Sequence, residues 1–186
     1  RSRGLGDVYK RQTMDIQIKQ GPQCHTSNCY TYRNGDIKYI VIHFTSNNGD
    51  TALNNCNYFS GANRGASAHY FIGDDGIYQS VPDKWAAWAV GGTKIYKHPY
   101  CRNMNSISIE MCSRIGADGK YYIRDGIVEQ TIKLTRYLMN KYGVPVANVL
   151  RHYDVWDKKC PEPFVRQPEL WEDFKRRLTG SEAVSY

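Results

Sequence analysis

Arg151-His152-Tyr153-Asp154-Val155-Trp156-Asp157-Lys158-Lys159-Cys160-Pro161-Glu162-Pro163-Phe164 is the stretch on which the reading of this chain turns. It sets an imidazole and a thiol eight positions apart, and those donor types bind zinc at roughly 2.0–2.1 Å and 2.3 Å. Eight residues of helix would part them by about 12 Å. An extended strand would part them by about 26 Å, so one ion can take both only where the chain doubles back. Pro161 and Pro163 favour a loop for that return. The bland alternative is a buried cysteine and a surface histidine that are neighbours in sequence only.

A third donor stands upstream. Lys38-Tyr39-Ile40-Val41-Ile42-His43-Phe44-Thr45 is short, β-branched and bounded by polar residues, which predicts a buried strand with His43 at its end. Rigid strand ends that open into loops are where ligands and catalytic groups are often held. Two histidines and a cysteine leave one tetrahedral position open, the pattern of a catalytic zinc rather than a closed structural one.

Four segments now carry a resemblance. Tyr39–Thr45, Ala66-Ser67-Ala68-His69-Tyr70-Phe71-Ile72, Asn105-Ser106-Ile107-Ser108-Ile109-Glu110-Met111-Cys112, and Arg151-His152-Tyr153-Asp154 ending in Lys158-Lys159-Cys160-Pro161 occur in this order. Over about residues 37–178 the chain resembles the zinc N-acetylmuramoyl-L-alanine amidases of the peptidoglycan-recognition and phage-lysozyme type, among them endolysins and autolysins. The resemblance implies a single α/β domain, a central mixed β-sheet flanked by helices as in peptidoglycan-recognition proteins. It implies Zn2+ held by His43, His152 and Cys160, a peptidoglycan substrate cut between N-acetylmuramic acid and L-alanine, and a monomer. It places the site of action at the bacterial cell wall, reached by secretion or by release from a phage-infected cell. Two other readings stay open: a non-catalytic peptidoglycan-binding module of the same fold, and a zinc peptidase cutting within the stem peptide.

Within Ser106–Cys112 the period of two puts Ser106, Ser108 and Glu110 on one face and Ile107, Ile109 and Met111 on the other. The isoleucines turn inward, so Glu110 faces something polar, either a lysine partner or a reaction. The resemblance makes it the general base, taking a proton from the attacking water and passing it to the leaving nitrogen. It likewise gives Lys158 the task of stabilising negative charge on the amide oxygen, although composition alone does not separate Lys158 from Lys159.

The remaining chain divides as follows. Residues 1–12 look like a translated transposase adapter from a sequencing library and are set aside. They hold +3 of the formal +7 charge, leaving +4, enough for mild attraction to anionic wall polymers and little reason to invoke nucleic acid. No apolar run approaches the roughly 20 residues needed to span a bilayer, so no membrane insertion is expected; no export signal is visible. Residues 13–36 read as irregular. There Cys24-His25-Thr26-Ser27-Asn28-Cys29 is open to a metal knuckle, a disulfide or free thiols, and six cysteines with one assigned to zinc leave an odd five.

Asn47-Asn48-Gly49-Asp50 predicts a turn with Asp50 capping a helix over Thr51–Phe59, its apolar side formed by Leu53, Cys56 and Tyr58 or Phe59. Ser67–Ile72 and Ile77–Val81 around Gly73-Asp74-Asp75-Gly76 predict a hairpin. His69 on its first arm is open to a groove-lining role or to being satisfied by a neighbour, and Trp88 is a second groove candidate. Many relatives carry Trp-His-Ala-Gly where this chain has Trp88-Ala89. Residues 93–104, with His98, read as a loop forming a lip. Ala117–Lys120 is a turn, Asp125–Tyr142 the longest helix, ended by Gly143 and Pro145. Val146–Leu150 predicts a strand, Pro168–Leu178 a closing helix with Leu170, Trp171, Phe174 and Leu178 inward, and residues 179–186 a polar tail.

Overall fold

A strand that is apolar along its whole length must be covered on both faces, and Tyr39–Phe44 is buried at every position. It sits inside a six-stranded sheet in a computed structural model that describes residues 16–91 and 95–180. The adapter-like residues 1–12 lie outside the described residues. The strands are β1 (Ile18–Gln20), β2 (Cys29–Tyr30), β3 (Tyr39–Phe44), β4 (Tyr70–Gly73), β5 (Gly76–Gln79), β6 (Ala86–Ala87), β7 (Ser106–Met111), β8 (Arg114–Ile115), β9 (Tyr121–Tyr122) and β10 (Val149–Arg151). The main sheet runs β1-β5-β4-β7-β3-β10. All its pairings are parallel except the β4–β5 hairpin, so the sheet is mixed as expected.

The helices are α1 (Ala52–Ser60), α2 (Asp125–Tyr142), α3 (His152–Val155), α4 (Glu162–Arg166) and α5 (Pro168–Leu178). One face of the sheet presents Ile40, Ile42, Ile107, Ile109 and Met111 to α2 and α5. From α2 come Ile127, Ile132, Leu134 and Leu138, and from α5 Trp171, Phe174 and Leu178. Gly143 ends α2 in the left-handed region at φ 66°, donating its N–H to the Met139 carbonyl. The opposite face carries Tyr39, Val41 and His43 of β3 beside Ser106, Ser108 and Glu110 of β7. α1 covers part of it through Ala52 and Cys56, packed on Ala68 and Phe71.

Several local expectations give way to tertiary contacts. The segment expected to be irregular supplies β1, which pairs with β5, and β2, which pairs with β6; these strands are too short to show a periodic pattern. Thr51, not Asp50, caps α1, its hydroxyl accepting from Asn54 N–H at 3.1 Å. Asp75, in the hairpin turn, caps the same helix from a distance by accepting from Ala52 and Leu53 N–H. Asp50 instead gathers the side chains of Thr45, Asn47 and Asn55. Leu53 and Tyr58 face solvent while Asn55 turns inward, because the buried stripe of α1 follows Ala52, Asn55 and Cys56. Leu170 is exposed as well, lying off the stripe at 171, 174 and 178. Val146–Asn148 is a 3-10 turn, so the strand begins only at Val149. The turn at 117–120 joins β8 to β9 as a small hairpin.

Candidate metal and catalytic site

His43 is the penultimate residue of β3, where the sheet's rigidity reaches a strand end, and Glu110 is its register partner on β7. β10 runs parallel to β3 on the other side, Arg151 beside Ile42, and delivers His152 as the first residue of α3. The return to Cys160 is made by one helical turn and a tight bend rather than an open loop. Tyr153 N–H donates to the Cys160 carbonyl at 2.8 Å, closing the bend. Pro161 and Pro163 then start α4, where a missing N–H costs nothing. Arg151 fastens the assembly: it chelates the Asp154 carboxylate and donates to the Phe164 carbonyl at 3.0 Å. The sequence reading overlooked this clamp, whose signal was the charge pair three residues apart.

The result is that one ligand atom from each of His43, His152 and Cys160 lies within 4.8 Å of the others, all three residues buried. Cys160 Sγ stands 3.8 Å from His43 Nδ1, and the two imidazole rings are 4.6 Å apart. A tetrahedral ion with the usual zinc bond lengths would hold N and S about 3.6 Å apart. Both ring nitrogens of His152 are buried without a hydrogen-bond partner. Such orphans are expensive unless something else satisfies them. The donor set therefore fits a metal ion. Both histidines are already neutral, the form a metal requires: burial, first, and then neighbouring positive groups hold His43 far below its ordinary pKa and bring His152 to about 4.

Glu110 is half-buried, with Oε2 enclosed and unpaired. Burial pushes its carboxyl up to about 8; the charge of Asp50 adds to this and Lys158 opposes it. Lys158 is exposed at its own position, yet its charge acts on His43, His152, Glu110 and Cys160 alike. On its other side Glu110 lines a cleft of about 430 Å3 whose walls include Asp50, Asn55, Tyr58, Phe59 and Phe71. An acid with elevated proton affinity thus stands between the His-His-Cys cluster and an open cleft, the kind of placement general acid–base chemistry needs.

Other candidates fall elsewhere. His69 is 1% exposed and does not open to this cleft; its Nδ1 accepts from Ser108 N–H and its Nε2 lies against the Trp85 carbonyl. Trp88 packs edge-on against Tyr30 with ring centres 5.4 Å apart, on the wall made by β2 and β6. The expected lip, for which residues 93 and 94 lie outside the described residues, packs onto α3: Lys97 and His98 N–H reach the Val155 carbonyl and Cys101 is buried against Tyr39 and Val41. Cys24 and Cys29 are free thiols sharing one apolar cluster, and His25 spends its Nδ1 on Ser27.

Residues 33–163 match the family model described as N-acetylmuramoyl-L-alanine amidase. The chain belongs to that amidase family. CwlL of Bacillus licheniformis is 32% identical over 160 residues, 80% of this chain and 43% of its own length. BlyA of Bacillus subtilis strain 168 is 32% identical over 154 residues, 76% of this chain and 41% of its own. The chain thus spans under half the length of these curated amidases. Among solved structures, PlyL superposes with a TM-score of 0.69 at 28% identity, covering 89% of this chain and 97% of that one. The PlyG catalytic domain gives 0.73 at 25%, covering 92% and 99%. The amidase fold read from the sequence is the fold observed. No described helix is long and apolar enough to cross a membrane.

Proposed function

We propose that this amidase domain hydrolyses the amide between N-acetylmuramic acid and L-alanine of the peptidoglycan stem, with zinc held by His43, His152 and Cys160. The observation that carries this reading is the juxtaposition of a buried His-His-Cys set with Glu110 at the mouth of a cleft. Zinc held there would supply Lewis acidity, making water a nucleophile near neutral pH and polarising the scissile carbonyl. Glu110 takes the proton of the attacking water and returns it to the leaving nitrogen; a cation beside it favours the ionised form this requires. Lys158 faces the charge that develops on the amide oxygen and binds the transition state more strongly than the substrate. The cleft beyond Glu110 seats the rest of the substrate, and the enzyme works at the bacterial cell wall as a monomer. Residues 37–178, with β1 and β2 attached, form the catalytic unit.

The test is mass analysis of products from purified peptidoglycan treated with zinc-loaded protein, with Glu110→Ala alongside. Intact stem peptides bearing a new L-alanine amino terminus, absent with the variant, are expected. Cleavage inside the stem would make the protein a peptidase, and wall binding without product would make it a recognition module.

A further inference from the structure

An imidazole that ligates through one nitrogen must carry its proton on the other, so a histidine near a metal is functional only when something selects the tautomer. His43 turns Nδ1 toward Cys160, and its Nε2 lies 3.1 Å from Ser108 Oγ. Ser108 is 1% exposed and sits on β7 directly across from Val41, one side-chain repeat before Glu110. The backbone that carries this hydroxyl is pinned from behind. Ser108 N–H donates to His69 Nδ1 at 3.0 Å, and His69 N–H donates to the Ser108 carbonyl at 3.1 Å.

His69 can accept at Nδ1 only while it is neutral. Burial and the guanidinium of Arg33 hold its pKa at about 4. With Nδ1 occupied, the ring proton is on Nε2, where the Trp85 carbonyl accepts it at 3.1 Å. Arg33 is itself fixed by the carbonyls of Met104 and Trp85, each at 2.7 Å, and of Asp83 at 3.0 Å. Arg33 Nη2 and His69 Nε2 both donate to the Trp85 carbonyl, so a buried polar chain runs from Arg33 through that carbonyl, His69 and the Ser108 backbone to the ring of His43. Arg33, His69 and Ser108 are not among the residues that line the cleft.

We propose that Ser108 is the positioning residue of the metal centre: its hydroxyl accepts from His43 Nε2–H and so presents the Nδ1 lone pair to the ion, with His69 and Arg33 as its rigid backing. This rests on the zinc reading above. Truncation to Ser108→Ala removes one atom from the site face, leaves every ligand in place, and frees His43 to turn or to change tautomer.

Zinc affinity measured by competition with a chromophoric chelator is expected to fall about ten- to a hundredfold in Ser108→Ala and to recover in Ser108→Thr, which keeps the hydroxyl and suits a strand. Melting of the metal-free variants reports whether they fold. Independently of any variant, histidine ring 15N–1H spectra of the zinc-loaded wild type should show His43 protonated at Nε2 and metal-bound at Nδ1. The opposite tautomer, or a folded Ser108→Ala that binds zinc as tightly as wild type, overturns the positioning role. A wild type that takes up no zinc overturns the metal centre itself.

Discussion

Replacing Glu110 by glutamine is expected to stabilise the metal-free protein while abolishing turnover. The enclosed Oε2 has no partner, and burial first, then the charge of Asp50, raises the carboxyl from 4.5 to about 8 against the pull of Lys158. Between those two pH values the folded chain keeps a proton that the unfolded chain has lost. The native state then binds more protons, so stability is full below about pH 4.5 and declines as pH climbs toward 8. At pH 7 the interval above 4.5 corresponds to about 3 kcal/mol as an upper bound, and to about 1–2 kcal/mol once water in the adjoining cleft is allowed for. Glutamine has no such titration. Urea unfolding in the presence of chelator, at steps from pH 4.5 to 8.5, should show the variant drawing ahead as pH rises and levelling off above 8. Turnover of the zinc-loaded variant should fall by about 10²–10⁴. A stability difference that does not change with pH would refute the argument.

Cys160→Ser should weaken zinc binding; zinc at a hundred times the wild-type Kd should stabilise the wild type by about 2.7 kcal/mol and the variant by much less, as read from thermal melts with and without metal. Zinc uptake at pH 7 should release about two protons, one from the Cys160 thiol, whose pKa burial pushes up, and one from Glu110; the histidines are already neutral. Calorimetry in buffers of different ionisation enthalpy counts them, and a count of zero would contradict the assignment. Asp83→Ala should cost about 2–3 kcal/mol, since Asp83 accepts from the hydroxyls of Tyr70 and Tyr142 and pairs with Lys141. Burial alone would raise the Asp83 pKa, but those hydroxyls together with nearby positive charge, Lys141 among it, hold it low. Its electrostatic contribution is therefore full above about pH 3.8 and lost as pH falls through that lowered value, and equilibrium unfolding should show a smaller deficit for the variant at pH 3 than at pH 7.

The fold was legible where the pattern was long or doubly constrained. Asp125–Tyr142 repeats its apolar stripe over several turns and stops at a glycine, so both its ends could be read. Tyr39–Phe44 and Ser106–Met111 carry enough alternation or continuous apolarity to declare themselves strands, and the three residues that gather, His43, His152 and Cys160, could be named from their donor types together with the family resemblance. What escaped depends on partners remote in sequence. Ile18–Gln20 becomes a strand only because β5 offers an edge. Asp75 caps a helix that begins more than twenty residues before it. Asp50 turned out to organise three polar side chains where a helix cap was expected. Ser108 could be placed on the face of Glu110 by counting, but counting does not reveal that His43 leans on it.

The donors that gather at one point are separated by 117 positions along the chain, and the outermost strand that delivers two of them, β10, docks beside β3. During synthesis the first histidine waits on a half-finished sheet until the last strand arrives. A ribosome-bound chain that has not yet released His152 and Cys160 offers an ion one imidazole of the set, and a single imidazole holds zinc poorly. The donor set therefore closes only once β10 has docked beside β3, near the end of the order of synthesis, and a chain cut short before Cys160 lacks it.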